Sequence, residues 1–361
     1  MTPTLRLQET TPLIQETPQL FDHPGDQAGW DALVAAAPQG HLLQSWAWGE
    51  LKARFGWRVQ RVAVDGACAQ VLFRRLPAGL GSIAYVPKGP LLDFADGPAA
   101  GRLLEAIRSL ALARRAICLK IEPNLLDDEA LAQRLAALGF QPSLQTVQPR
   151  RTILVDLEAE PDDVLARMKQ KTRYNVRLAA RRGVEVRTGG VDDVPAFYAL
   201  MQHTARRDGF SIHSRAYYEA AHRLLVEPGL GRLLLAEHEG TLLAALVVMA
   251  FGREACYMYG ASADEGRNLM PTYLLQWESM LWAKEQGCQV YDLWGVPDED
   301  EETLEAGFPE RSDGLWGVYR FKRGFGGYLA RTAGAWDLVY APLRYRLYQA
   351  AVAFYNRRQG D

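Results

Sequence analysis

The sequence predicts an α/β protein of the α+β kind, with two mixed sheets in tandem. Three observations carry this. The chain has 361 residues, enough for two domains. Hydrophobic residues make up 48% and charged residues 23%, a globular balance that excludes a disordered or fibrous chain. One order of elements, hairpin then strand then helix then strand, occurs twice.

The elements follow in order. Residues 1–27 are polar and proline-containing and read as a loose lead-in. WRVQRVAVDGACAQVLFRR (57–75) reads as a hairpin turning at Asp65-Gly66. SIAYVPKGPLL, a helical stretch near 98–115 and the strand-like AICLKIEP (116–123) complete the first copy. The second repeats the device. GRLLLAEHEGTLLAALVVMAF (231–251) turns at Glu239-Gly240, and ACYMYGAS (255–262), PTYLLQWESMLWAKEQG (271–287) and QVYDLWGV (289–296) follow. The boundary is placed at TILVDLEAEPDD, where Pro161-Asp162-Asp163 signals a helix start. The expected units are therefore 28–155 and 156–339. The tail 340–358 is expected to pack back on the first unit through Leu343, Leu347, Ala350, Ala351 and Phe354. The alternative for that stripe is a helix lying on a membrane surface.

Composition bounds the function. Formal net charge is −2, so any polyanion site must be local, and no DNA partner is expected. No run approaches the roughly 18 apolar residues of a spanning helix. The first twenty residues lack a signal-peptide core, so a cytoplasmic location is expected, with at most peripheral membrane contact. Cys68, Cys118, Cys256 and Cys288 are dispersed and read as small buried hydrophobes. The histidines show no metal-ligand spacing, and no metal is expected. Of the 41 basic residues only seven are lysine, so each lysine can be followed individually.

The densest positive charge lies in VLARMKQKTRYNVRLAARRGVEV (164–186), read as one helix from 164 to 182 capped at Gly183. Lys169, Lys171, Arg173 and Arg177 are its candidate phosphate or tRNA contacts.

The repeated order resembles the acyltransferase fold of the GNAT superfamily, in two tandem domains. Members that use acyl-CoA hold its pyrophosphate on a glycine-rich loop at a helix N-terminus. Here the corresponding stretch is ASADEGRNLMPTYLLQW, with Gly266 but no paired glycine. The loop argues against CoA as donor.

HLLQSWAWGELKARFGW (41–57), AYVPKGPLLD, KIEP, KTRYNVRLAARRGVEV, ARRDGFSIHSRAYY, MYGAS, QVYDLWGVP and YRFKRGFGG resemble, in order, motifs of the FemABX family. The resemblance spans about residues 35–360. It is closest to the short FemX-type members that lack a coiled-coil insertion. It implies an aminoacyltransferase that moves an amino acid from aminoacyl-tRNA to a stem-peptide amine in peptidoglycan cross-bridge synthesis. The acceptor would be UDP-MurNAc-pentapeptide or a lipid-linked precursor. No cofactor is implied, and a monomer is expected.

The resemblance also suggests roles. Lys322 is the first choice for stabilising the tetrahedral intermediate or holding the tRNA terminus, with Phe321 stacking on the terminal base. Lys52, one helical turn after Trp48, would bind a pyrophosphate. Arg215 would complete that clamp and Tyr218 add a hydroxyl, with Arg207 and Tyr217 as close competitors. Glu122, where the family has Asp, would orient or deprotonate the amine. Tyr259 would donate to the ester carbonyl, with Tyr257 as its competitor on the same strand face. Asp292 is a further candidate at a strand end. Two other readings stay open: an acyl-CoA-dependent N-acyltransferase and a non-catalytic tandem binding protein.

Overall fold

The computed structural model describes residues 17–359. Most of the lead-in, residues 1–16, lies outside them.

Among the described residues the strands form two seven-stranded mixed sheets. The first contains β1 (Gln19–Leu20), β2 (Arg58–Val64), β3 (Ala67–Arg75), β4 (Ser82–Pro87), β5 (Ala116–Glu122), β6 (Gln141–Pro142) and β14 (Trp336–Val339). Its order is β1-β2-β3-β4-β5-β14-β6. The second contains β7 (Arg151–Asp156), β8 (Glu185–Gly189), β9 (Gly231–His238), β10 (Thr241–Phe251), β11 (Glu254–Ser262), β12 (Val290–Val296) and β13 (Tyr328–Arg331), in the order β13-β7-β12-β11-β10-β9-β8.

The repeated order is visible in both. Each hairpin, β2–β3 and β9–β10, turns through two residues of positive φ: Asp65 (50°) with Gly66 (79°), and Glu239 (50°) with Gly240 (76°). That two-residue turn matches the right-handed strand twist. Each hairpin feeds a strand, then a helix (Gly97–Ala113 or Pro271–Glu285), then a parallel strand.

Three details depart from the sequence reading. Residues 19–26 are not loose, because β1 pairs with β2 and Phe21 is buried. β7, assigned by sequence to the first unit, pairs with β12 and β13 in the second sheet. β14, assigned to the second unit, returns to pair with β5 in the first. Hydrophobic patterning marks a strand but not its partner, so the crossovers at 143–150 and 332–335 were not visible in it.

The tail forms the helix Pro342–Gln359 and does pack on the first sheet, but through a different face. Tyr345 is buried against Ile117 and Cys118, with Tyr348 beside it, and the Tyr345 hydroxyl donates to Asp337 at 2.6 Å. Leu343 (77% exposed), Leu347 (61%) and Phe354 (60%) face outward.

Each sheet has its own core. A third apolar cluster joins the halves: Trp46, Trp48 and Leu51 of the helix Trp46–Arg54 pack with Phe197, Tyr217, Tyr218 and Val247. All four cysteines are buried and unpaired.

Candidate active site

The two parallel pairs differ in a way that positions the site. In the first sheet β4 and β5 stay paired from Ser82–Ala116 to Pro87–Glu122. In the second, β11 and β12 pair only from Glu254–Val290 to Cys256–Asp292, and then part. A β-bulge in β12 between Asp292 and Gly295 accompanies the parting, and Trp294 inside it adopts φ 64°. Bulges re-aim backbone and side-chain groups. Here the Trp294 and Gly295 carbonyls turn toward Lys322.

Lys322 ends the helix Trp316–Lys322 and is buried. Its Nζ donates to Gly295 O (2.8 Å) and Trp294 O (3.3 Å) and lies 5.6 Å from the Tyr257 ring centre. Burial pushes its pKa down from 10.5 to about 7, and Asp292 only partly opposes that. An ammonium has three N–H donors, so two carbonyls leave one for a substrate. Asp292 supports the arrangement. Its Oδ1 accepts from the Trp294 N–H at 2.6 Å and from the Thr152 hydroxyl.

A second bulge lies in the β10–β11 pairing: Val247 faces Tyr259 while Val248 faces Tyr257. The extra residue breaks the alternation of faces. Tyr257 packs on the cluster that also holds Phe321, whereas Met258 and Tyr259 pack on the cluster that joins the halves. The two tyrosines, read as sharing a face, are therefore on opposite faces of β11. Tyr257, not Tyr259, lies beside Lys322. Gly260 makes this possible, because a Cβ there would lie 1.8 Å from the Tyr257 hydroxyl.

Tyr259 belongs to a different cluster. It hydrogen-bonds Tyr217 and meets the Tyr218 ring edge-to-face at 5.2 Å. Tyr217 accepts a hydrogen bond from Lys52 Nζ (2.9 Å) and stacks on His213 at 3.8 Å. Lys52 Nζ also sits 4.4 Å over the Trp48 ring, so the helical spacing of these two residues does place them together. Burial, with Arg74 nearby, lowers the Lys52 pKa to about 8. Lys52 has no ion-pair partner among the described residues. It is a desolvated cation framed by aromatic faces, a setting suited to an anion.

Other sequence candidates are committed elsewhere. Tyr218 packs on Phe197 and Tyr198, so Tyr217 takes the contact with Lys52. Arg215 is exposed and paired with Glu219 at 2.7 Å. Arg207 holds the end of β11 through Ser262 O (2.9 Å) and pairs with Asp264 and Asp208. Phe321 is partly buried and meets Tyr273 and Phe325 edge-to-face, each at 5.0 Å. Glu122 is buried. It accepts from the Tyr85 hydroxyl and from the Val147 (2.6 Å) and Gln148 (3.1 Å) N–H groups. Burial raises its pKa above the usual carboxylate range. It straps the 143–150 crossover to β5, so its carboxylate is engaged in holding the fold.

The basic segment is two helices, Pro161–Arg167 and Gln170–Arg181, rather than one. Met168 is extended and buried between them because the glycine loop after Lys322 packs there. Lys169 N–H donates to Gly324 O (2.9 Å), and a Cβ on Gly326 would come within 2.8 Å of the Arg167 backbone. Arg173 caps the first helix by donating to Ala166 O (2.7 Å) and Met168 O. Lys169 faces Glu305 at 3.7 Å. Lys171 and Arg177 are exposed, as are Tyr174 and Arg181.

Pattern reading missed a buried junction between the halves. His41 lies 3.4 Å from Glu254. Lys88 Nζ donates to Asn124 Oδ1 (3.2 Å) and lies 5.7 Å from the Trp294 ring centre. A usable signal existed. In an arginine-biased chain, three of the seven lysines, Lys88, Lys120 and Lys322, are buried. Lysine supplies a compact charge that a forked guanidinium does not reproduce.

A duplicated mixed sheet, opened in its second copy around a buried lysine, defines a tandem GNAT-like protein. The sequence matches the model of the FemAB family over residues 26–224 and 233–352, and the chain belongs to that family. It is 27% identical to the lipid II:glycine glycyltransferase of Staphylococcus aureus, across 88% of this chain and 92% of that one. The crystal structure of FemX superposes with a TM-score of 0.82 at 26% identity, covering 91% of this chain and 99% of that one. A tandem GNAT protein from the clavulanic acid biosynthesis pathway shares the fold, with a TM-score of 0.52 at 16% identity over 89% of this chain and 98% of that one.

Proposed function

We propose that this chain is an aminoacyltransferase of peptidoglycan cross-bridge synthesis, moving an amino acid from aminoacyl-tRNA to the stem-peptide amine of a wall precursor. The observation that carries the proposal is Lys322, held by two carbonyls in the opening between β11 and β12. The acceptor amine attacks the ester carbonyl. The amide forms as the ester C–O bond breaks, and the proton lost by the amine ends on the leaving ribose oxygen. The remaining Lys322 N–H stabilises the oxyanion. With a pKa of about 7, this group is also poised to relay the proton.

The Lys52–Trp48–Tyr217 cluster serves the anionic part of the precursor, either a nucleotide diphosphate or a lipid diphosphate. The exposed Lys171, Tyr174, Arg177 and Arg181 offer a phosphate track that begins beside the Lys322 loop. An acyl-CoA donor is disfavoured by the start of the helix Pro271–Glu285. There the Leu269, Met270 and Tyr273 N–H groups bond Gly266, Arg267 and Met270 carbonyls, and Pro271 has none to offer.

The test is incubation with a pool of charged tRNAs and UDP-MurNAc-pentapeptide or lipid II, with the product weighed by mass spectrometry. An added aminoacyl mass that disappears after RNase treatment of the donor supports the proposal. Addition that survives RNase, or that requires acyl-CoA, overturns it.

A further inference from the structure

We infer that the helix Pro342–Gln359 docks the protein on an anionic lipid bilayer surface. At about 100° per residue, Leu343, Leu347 and Ala350 fall within about 60° of one another on this helix. All three are exposed, Leu343 at 77% and Leu347 at 61%. Tyr345, Tyr348 and Gln349 lie on the opposite side, where Tyr345 and Tyr348 fix the helix to the first sheet. The apolar ridge is therefore held outward by a docked aromatic face.

Charge identifies the occupant. Arg344 and Arg346 are exposed on the two shoulders of the ridge. Residues 340–358 contain four arginines and no acidic residue. Apolar side chains flanked by basic ones are the pattern of an interfacial helix, whose ridge enters the acyl boundary while its cations meet anionic headgroups. A second copy of the chain would bring arginines against arginines across a two-fold axis. RNA would leave the leucines unburied. No helix among the described residues is long and apolar enough to cross a membrane, so the contact is peripheral.

The inference does not depend on the donor or acceptor proposed above, and its test involves no turnover. The full chain is sedimented with vesicles of phosphatidylcholine alone, or of phosphatidylcholine with phosphatidylglycerol, at low and high salt. Binding to the anionic vesicles, weakened by salt, is expected. L343Q/L347Q should weaken it at least tenfold, and R344Q/R346Q should abolish the preference for phosphatidylglycerol. Both variants change exposed positions, so unchanged melting confirms that they fold. Three results would overturn the inference: no binding of the unaltered chain to anionic vesicles, equal binding by L343Q/L347Q, or a dimer in solution that L343Q/L347Q converts to monomer.

Discussion

Replacing Lys322 with methionine separates what this residue costs from what it does. Bringing the ammonium to its native site shifts its pKa from 10.5 to about 7, mainly through burial. At 1.36 kcal/mol per tenfold, that is a native-state cost of about 4 kcal/mol at pH 7. Methionine removes the cost and fills similar space, but it strands the Trp294 and Gly295 carbonyls, worth about 1–3 kcal/mol together. K322M should therefore be more stable than the natural chain by about 1–3 kcal/mol at pH 7. The sign with pH is fixed. The lysine penalty is complete below the native pKa of about 7 and fades as pH rises toward 10.5, where the unfolded lysine also loses its proton. At pH 9 it is about 2 kcal/mol, and the advantage of K322M shrinks to near zero. Urea unfolding at the two pH values measures this. A K322M that is less stable at pH 7, or whose stability difference does not change between pH 7 and 9, would refute the reasoning. A gain in stability with a loss of transfer is the mark of a functional site that carries strain.

Other consequences are equally direct. D292N removes the charge that supports protonated Lys322, so the pH at which kcat/KM falls should move to lower values, while the Trp294 N–H keeps an acceptor; an unmoved profile argues against the link. E122Q should cost about 1–3 kcal/mol in thermal unfolding, because an amide nitrogen is turned on donors, yet leave kcat within a few-fold; a collapse of kcat with intact folding would restore Glu122 as a base. K52M should raise KM for the diphosphate-bearing precursor about tenfold or more with little change in kcat, read from steady-state transfer. G260A should displace Tyr257 and lower both stability and transfer, and combining it with Y257F should recover part of the stability, measured by calorimetry.

Much of the architecture was legible because it is written in local rules. Asp65-Gly66 and Glu239-Gly240 announced both hairpins through turn chemistry, and the spacing of Trp48 and Lys52 placed them on one helical face. The misreadings share a cause: tertiary contact changes local register or direction. One inserted residue in β11 sends Tyr257 and Tyr259 to opposite faces. Glycines more than 150 residues downstream split the basic helix at Met168. The aromatic side of the tail helix, not its leucine stripe, meets the sheet. Glu122 looked free at a strand end because the crossover whose N–H groups it accepts is joined to it only in three dimensions.

The central claim is that transfer occurs at Lys322 in the opened second sheet. Single-turnover transfer from preloaded aminoacyl-tRNA, with both substrates saturating, tests it most directly. The account predicts that K322M, folded and at least as stable as the natural chain at pH 7, slows the step by about a hundredfold or more. An unchanged single-turnover rate would contradict it and move the chemistry away from the β11–β12 opening.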